Sequence, residues 1–240
     1  MKKAIIIVYH GSHNEEYNDR TSTKLTSKVK DNFKDFEVFE VFTSLIVQQR
    51  LKNKRFNFLE CLNKLSNDNI DEVYILTTNL INGYELETIK KQLNDYSFSY
   101  KITPALLEKS SSLKKVAQVL KCDDNSIHLF VGHGSKRKSN HEYLNLEKSF
   151  IENGLINHRI CVIDGKPSFD DVKDTLDLNK KIYLYPLMFI AGYHANKDVK
   201  GLANDLIAKD INAEYVNQSL GMIEEIRDIY LQNLQEIIWE

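Results

Sequence analysis

Three side chains in the second half of the chain combine residue types and positions that suit metal chemistry. His133 follows one predicted strand, Asp164 ends a second, and His194 follows a third. Because the carboxyl ends of parallel strands meet at one edge of a sheet, we expect these side chains to lie close together. Two imidazoles and a carboxylate suit a divalent first-row metal and leave coordination positions open for exchange. An imidazole can also accept a proton near neutral pH.

Each of these residues also has an ordinary structural interpretation. The segment 133–135 (HGS) can join a strand to a helix, with glycine at the turn and serine as the helix cap. Asp164 followed by glycine is typical of a turn. His194 can lie at the start of a helix that Asn196 caps. The convergence of all three on one sheet edge favours a metal site, and the sequence shows only that the topology allows it.

Two motifs occur twice, in the same order, about half the chain apart. The segment 8–12 (VYHGS) resembles 131–135 (VGHGS), and 80–85 (LINGYE) resembles 189–194 (FIAGYH). Either match alone is weak, but together they favour two similar domains.

The repeat places His10, Val41 and Glu85 of the first half at the positions of the three candidate ligands. A valine cannot bind a metal, so the first half is predicted to lack a complete ligand set. His10 and Glu85 are expected to face the second domain across a cleft. The remaining histidines are interpreted as surface or packing residues: His13, His128, His141 and His158.

The elements that would position these residues follow a regular alternation. Short apolar runs predict strands over 4–9, 37–43, 72–78, 100–103, 127–132, 159–164, 181–186 and 213–217. Helical periodicity predicts helices near 15–33, 55–66, 85–95, 109–120, 139–153, 168–177, 196–209 and 222–238. Alternating strands and helices predict the α/β class, with parallel sheets flanked by helices.

The polar segment 121–126 (KCDDNS) is suited to a linker between two such domains. We therefore predict an N-terminal α/β domain over 1–121 and a C-terminal α/β domain over 122–240. The C-terminal domain carries the candidate metal site, and its last helix can pack back on the N-terminal domain. Facing domains would form a cleft between their sheet edges.

The composition narrows the functional classes. The 240 residues are 42% hydrophobic and 28% charged, which is typical of a globular protein. A net charge of −2 provides no global positive field, so we expect neither a nucleic-acid nor a membrane partner. The 3 cysteines form no CxxC pair, which argues against a zinc ribbon, a dithiol site or a disulfide scaffold.

The N-terminal apolar run is short and meets His10 without a cleavage signature, so it is interpreted as a strand. No segment approaches the ~20 apolar residues of a membrane span. We therefore predict a cytoplasmic protein.

Lysines and an arginine accompany the candidate site. Lys136, Arg137 and Lys138 follow the second HGS motif, and Lys166 and Lys197 flank the other two site segments. They can form an anion site for a polycarboxylated ligand, or they can be ordinary solvated cations.

Five motifs spread over nearly the whole chain carry a family resemblance: 42–44 (FTS), 81–85 (INGYE), 132–135 (GHGS), 162–167 (VIDGKP) and 186–198 (PLMFIAGYHANKD). With them the chain resembles the anaerobic sirohydrochlorin cobaltochelatases of cobalamin synthesis, within the wider class that includes protoporphyrin ferrochelatase. The last motif is the most specific. It matches a pattern of PLM, two apolar residues, AG, any residue, HA, two residues and D.

The resemblance implies two similar α/β domains related by a pseudo-twofold around a cleft. It also implies that His133, Asp164 and His194 hold the metal, with His133 as proton acceptor. The chain departs from the family at two places. Asp164 stands where the family typically has Glu, and the first motif reads YHGS at 9–12 where the family usually has FGTS.

The implied reaction inserts Co²⁺ into sirohydrochlorin and releases two protons. Fe²⁺ or Ni²⁺ are alternative metals, and iron insertion for siroheme is an alternative activity. A non-catalytic metal- or tetrapyrrole-binding protein on the same scaffold is a further alternative. No organic cofactor is implied, and a homo-oligomer is compatible with the sequence.

The predicted substrate-binding residues are His10, Ser12 and Glu85, and the extra imidazole of His10 could instead accept a proton. Aromatic and apolar side chains can form the cleft walls or belong to the core: Tyr84, Tyr193, Phe189 and Met188.

Overall fold

A computed structural model describes residues 2–44, 47, 49, 56–122, 124–136 and 140–240, with the backbone alone at 193–195. The first half forms a parallel sheet in the order β2-β1-β3-β4. Its strands are β1 (Lys3–Tyr9), β2 (Glu37–Phe42), β3 (Glu72–Thr77) and β4 (Ser99–Ile102). Its helices are α1 (Glu15–Arg20), α2 (Ser22–Asn32), α3 (Phe58–Asn67), α4 (Tyr84–Leu93) and α5 (Ser110–Val119).

The second half repeats this topology with a parallel sheet in the order β6-β5-β7-β8. Its strands are β5 (Ile127–Gly134), β6 (His158–Asp164), β7 (Ile182–Leu187) and β8 (Ala213–Tyr215). Its helices are α6 (His141–Glu152), α7 (Phe169–Val172), α8 (Tyr193–Ile207) and α9 (Glu224–Trp239). The predicted alternation of strands and helices is confirmed.

Two predicted helices differ from the structure for local reasons. The segment 15–33 forms two helices, because Thr21 departs from helical geometry and its hydroxyl donates to the carbonyl of Tyr17 at 2.5 Å. The segment 168–177 forms the short α7 and a 3₁₀ turn, after which the buried Leu176 is extended.

The helix predicted over 55–66 begins at Phe58, behind a capping box. The Asn57 side chain accepts from the backbone N–H of Glu60 at 2.8 Å, and the Glu60 carboxylate accepts from that of Asn57 at 3.0 Å. The predicted start at 55 lies outside the described residues.

The inner faces of the two sheets share one apolar core. This core combines side chains of both sheets with the buried faces of α2, α5, α6 and α9. The outer face of the first sheet packs under α3 and α4, and that of the second under α7 and α8. The last helix packs against α2, α5 and β3 of the first half. The domain boundary at residues 121 and 122 stays a prediction.

Both motif repeats adopt matching backbone conformations in the two halves. Gly11 and Gly134, within the two HGS motifs, have left-handed φ angles of 88° and 76°. The helices after β3 and β7 both begin at a tyrosine that follows a glycine N-cap. Glu85 and His194 are therefore each the second residue of their helix.

The strand register corrects one detail of the repeat. Asp164 pairs with Gly134 in the second sheet. The equivalent position beside the first HGS motif is Ser44, whose backbone N–H donates to the carbonyl of His10 at 3.2 Å. Val41 lies earlier on β2 and is buried, so its predicted equivalence with Asp164 is wrong.

Among the described residues, no helix is both long enough and apolar enough to cross a membrane.

Replacing Gly134 with alanine tests the close approach of β5 and β6. An added Cβ would lie 2.2 Å from the carbonyl oxygen of Asp164, in a backbone conformation that alanine rarely adopts. Gly154 is a matched control, because its φ is 78° and a Cβ there would meet nothing within 4 Å. We expect Gly154→Ala to lower the free energy of unfolding by about 1–2 kcal/mol. Because the added Cβ also overpacks the strand pair, Gly134→Ala should lower the free energy of unfolding by roughly 1–3 kcal/mol more than Gly154→Ala does. Urea denaturation measures both losses, and equal losses would contradict the close approach of β5 and β6.

Candidate metal site and substrate cleft

The carboxyl ends of both sheets meet at one pocket of about 360 Å³. Its described lining from the first half consists of His10, Thr78, Asn79, Leu80, Ile81, Gly83, Tyr84 and Glu85. The second half contributes His133, Gly134, Ser135, Tyr143, Leu187, Met188, Phe189 and Ile190. The predicted cleft between the two sheet edges is therefore present, with a histidine on each side.

His133 lies at the end of β5, where its exposed side chain lines the pocket. The next residue, Gly134, packs closely against the backbone of Asp164, and this contact fixes the end of the strand that carries His133. Ser135 does not cap the following helix, because α6 begins at His141 after the N-cap Asn140. The serine cap of the structural alternative is thus wrong, and His133 lies at a strand end as predicted.

Asp164 lies at the same sheet edge but faces a cation. Its Oδ1 is 3.0 Å from Nζ of Lys136, an exposed side chain. Asp164 is not among the described residues that line the pocket. The structure therefore brings its backbone next to the HGS motif while its carboxylate is engaged by lysine.

His194 lies in the first turn of α8, and its side chain falls outside the described part of the structure. Asn196 is not the cap of this helix. The N-cap is Gly192, and the Asn196 side chain donates to the carbonyl of Ala191 at 2.9 Å. Among the described side chains, no three His, Cys, Asp or Glu residues form a metal cluster. The complete ligand trio stays a prediction.

The first half holds an ordered histidine–carboxylate pair in the pocket. Nδ1 of His10 lies 3.1 Å from Oε1 of Glu85. Thr43 donates its hydroxyl to the same Glu85 oxygen, and Asn79 donates to the other at 2.7 Å. The His10 side chain is 68% exposed, whereas that of Glu85 is 33% exposed. Glu85 is thus fixed by three donors, and it presents His10 to the pocket.

These contacts shift the protonation equilibria of both partners. Burial alone would raise the pKa of Glu85, but the hydrogen bond and charge of His10, with the donors Thr43 and Asn79, lower it to about 2. The hydrogen bond to Glu85 raises the pKa of His10 above its usual value, against the opposing effect of burial. Glu85 is therefore an anion throughout the physiological pH range.

Ser12 is buried and shapes the loop after His10. Its backbone N–H donates to the Asn18 side chain at 3.0 Å, and Asn18 donates back to the Ser12 carbonyl at 2.7 Å. The Ser12 hydroxyl accepts from the backbone N–H of Asn14 at 3.2 Å. Its predicted contact with substrate stays a prediction.

Asn140 is a site residue that the sequence did not reveal. Its buried side chain donates to the carbonyl oxygens of Ser135, Asp164 and Lys166, with the shortest distance, 2.9 Å, to Lys166. It therefore fastens the loop after β5 to the loop after β6. An asparagine before a helix indicates an N-cap, and no sequence signal distinguishes this cross-loop role.

A hydrogen bond beside the pocket joins the two halves of the chain. The carboxylate of Glu142, buried on α6, accepts from the backbone N–H of Asn82 at 3.2 Å and lies 3.3 Å from His141. Asn82 belongs to the loop that precedes Tyr84 and Glu85. This bond between the halves fixes the loop that forms one wall of the pocket.

The predicted wall residues divide into two kinds. Tyr84 is 58% exposed and lines the pocket, as does Met188. Phe189 also lines it but belongs to the core, with ring centroids 5.6 Å from Tyr9 and 5.2 Å from Tyr230. The side chain of Tyr193 lies outside the described residues.

Two of the lysines near the candidate site have carboxylate partners in the described part of the chain. Lys136 pairs with Asp164, and Lys166 lies 3.3 Å from Asp171. Arg137 and Lys138 fall outside the described residues. His128 and His158 are buried with ring centroids 4.9 Å apart, which confirms that both are packing residues.

The chain is similar in sequence and in fold to known chelatases. A sirohydrochlorin cobaltochelatase of Salmonella typhimurium is 23% identical, over 99% of this chain and 97% of its own length. The sirohydrochlorin cobaltochelatase CbiKC of Nitratidesulfovibrio vulgaris is 24% identical, over 83% of this chain and 76% of its own. The structure of SirB from Bacillus subtilis with Fe³⁺ superposes with a TM-score of 0.70 at 15% identity, over 98% of this chain and 95% of that one.

The family model of the cobalt chelatase CbiK matches residues 3–239. This match confirms the resemblance inferred from the sequence motifs, and the superposition with SirB confirms the fold class. The chain belongs to the cobalt chelatase (CbiK) family.

Proposed function

We propose that this enzyme inserts Co²⁺ into sirohydrochlorin, in the cytoplasm, as a step of cobalamin synthesis. The observation that carries the proposal is the position of His133 in a pocket between two sheet edges, in a chain whose whole length matches the cobalt chelatase family. The Salmonella relative, which matches 99% of this chain, is named a sirohydrochlorin cobaltochelatase. A small, mainly apolar pocket suits a flat macrocycle rather than a nucleic acid.

In this proposal the metal is held by His133, Asp164 and His194. The pseudo-repeat supports the pairing of the two histidines, because their backbone equivalents are His10 and Glu85, whose side chains meet at 3.1 Å. The register of β5 and β6 supports Asp164. Two histidines and a carboxylate hold a divalent metal while leaving positions open, so that ring nitrogens can replace the protein ligands.

The arriving metal must displace Lys136 from Asp164. The Lys136 side chain is 75% exposed, so water readily replaces the carboxylate as its partner. Until the metal arrives, the lysine balances the charge that the carboxylate carries at the strand end. The ammonium group of Lys136 therefore occupies the metal's place beside Asp164 reversibly.

Metal insertion exchanges two ring N–H protons for one divalent cation, so protein groups must accept protons as the metal leaves. When the metal moves from His133 to the ring, the imidazole nitrogen that held it regains its lone pair. That nitrogen can then accept one ring proton. His133 therefore serves as ligand first and as proton acceptor second.

The macrocycle is held between the two halves. Tyr84 and Met188 offer apolar surface on opposite sides of the pocket, while His10 and Glu85 provide its polar edge. Gripping a flat ring from both faces favours a distorted ring, which exposes nitrogen lone pairs to the metal.

The direct test is an anaerobic assay of sirohydrochlorin with Co²⁺, Fe²⁺ and Ni²⁺, followed by the absorbance change of the ring. The proposal predicts many turnovers per protein molecule, with Co²⁺ the preferred metal. Product formation that stops at one equivalent would indicate a binding protein, and faster turnover with Fe²⁺ would indicate siroheme synthesis.

His133→Ala should abolish insertion without unfolding the protein. The side chain is exposed, so its loss removes little core packing, whereas loss of a ligand that is also a base should lower kcat/KM by ~10²-fold or more. His13→Ala, in the other HGS loop, is the control and should stay near the wild-type rate. Near-wild-type turnover of His133→Ala would remove the proposed mechanism.

Substitutions of Asp164 separate a ligand from a turn residue. Asp164→Asn keeps the size but removes the charge that offsets M²⁺, so Co²⁺ affinity and kcat/KM should both fall. Asp164→Glu restores the residue typical of the family and should keep much of the activity. Calorimetry with Co²⁺ and steady-state kinetics measure both effects. An active Asn variant beside an inactive Glu variant would show that Asp164 only shapes the loop.

A further inference from the structure

The proposed function assigns an acceptor to only one of the two ring protons that insertion releases. His133 takes that proton, and the other goes either to another ligand that the metal vacates or to a separate base. The first half of the chain places a second imidazole in the same pocket, on the opposite sheet edge. We propose that His10, held by Glu85, is a second general base of this enzyme and takes one ring proton on Nε2.

The geometry fixes which nitrogen of His10 is the base. Glu85 is ionised and can only accept hydrogen bonds, so Nδ1 of His10, 3.1 Å away, must carry the hydrogen between them. In the neutral imidazole the lone pair therefore lies on Nε2, the atom farther from Glu85. The orientation is set before substrate arrives, since the donors Thr43 and Asn79 fix the carboxylate.

The carboxylate of Glu85 also raises the basicity of the His10 imidazole. A neighbouring anion stabilises the imidazolium and makes His10 a better proton acceptor. The other titratable side chains of the described pocket lining are His133 from β5, Tyr143 from α6 and Tyr84 from α4. Among these lining residues only Glu85 carries negative charge.

The step balances without any further reactant. One ring N–H bond breaks, its proton forms a new bond to Nε2 of His10, and its electron pair stays on the ring nitrogen to bind the metal. His10 becomes an imidazolium paired with Glu85, and the exposed ring then returns the proton to water. With the second proton on His133, two protons leave as one divalent cation enters.

This inference rests on the proposed function but concerns residues outside the proposed ligand set. The family pattern FGTS has no histidine in the first motif, so the resemblance to the family does not imply a base at this position. The role of His10 as a base is inferred from its pairing with Glu85 in the structure.

The test compares His10→Gln, Glu85→Gln and the matched control Glu87→Gln, which removes another carboxylate from the first turn of α4. The measurement is kcat/KM for Co²⁺ insertion against pH. Because the base must be neutral, the wild-type rate should rise with pH through the His10 pKa. Glu85→Gln lowers that pKa, so its acid limb should move to lower pH, with a plateau several-fold slower.

His10→Gln should lose about 10- to 10²-fold in kcat with little change in KM or in Co²⁺ affinity. Glu87→Gln should keep the wild-type profile. NMR titration of the His10 ring gives a second readout, whose midpoint should fall in Glu85→Gln and stay in place in Glu87→Gln.

An unchanged kcat in His10→Gln, or an acid limb that does not move in Glu85→Gln, would overturn the second base while leaving the proposed function intact. A selective rise in KM would assign His10 to substrate binding and would also overturn it. A wild-type protein with no insertion activity would instead overturn the proposed function, and the second base with it.

Discussion

The site depends on an aromatic contact that joins the two halves directly beneath it. The ring of Phe189, after β7, packs against Tyr9 at the end of β1 and against Tyr230 of α9, with centroids 5.6 and 5.2 Å away. The Tyr230 hydroxyl donates to the carbonyl of Thr78, after β3, at 3.1 Å. Each aromatic pair contributes about 0.5–1.5 kcal/mol beyond the burial of its surface. Two carboxyl sheet edges can form one cleft because these rings hold them at a fixed separation.

The pseudo-repeat places different chemistry on equivalent backbone positions. In the second half the paired positions hold His133 and His194, whereas in the first they hold His10 and Glu85. With Glu85 at the second of these positions, the first half holds a hydrogen-bonded pair in which the carboxylate orients the imidazole of His10. The third position, which is Asp164 in the second half, is Ser44 in the first and has no carboxylate. In the proposed mechanism the second half holds the metal and takes one proton, and the first half takes the other proton.

The sequence predicted the fold well because the apolar runs and the helical periodicity agree with the local geometry almost everywhere. It also placed His133, His10 and Glu85 at the sheet edges, where all three line the pocket, because strand ends and repeated motifs reveal such positions. The sequence-based prediction was wrong about where two helices begin. Ser135 and Asn196 look like helix caps, yet the N-cap positions of these helices are occupied by Asn140 and Gly192.

The unforeseen contacts all join segments distant in sequence. The salt bridge of Lys136 with Asp164 and the bonds of Asn140 to three loop carbonyls depend on the packing of β5 against β6. The bond from the Asn82 backbone to Glu142 depends on how the halves meet. Periodicity and motif spacing carry no information on such pairs, because each requires the tertiary structure that brings the loops together.

The most direct test of the central claim is a crystal structure of the Co²⁺-loaded protein, grown without oxygen, with diffraction data on both sides of the cobalt absorption edge. The anomalous difference locates the metal without reference to other atoms. The account predicts one cobalt peak at the end of β5, about 2.0–2.2 Å from a ring nitrogen of His133 and a carboxylate oxygen of Asp164. A cobalt peak between His10 and Glu85, with none at His133, would contradict it.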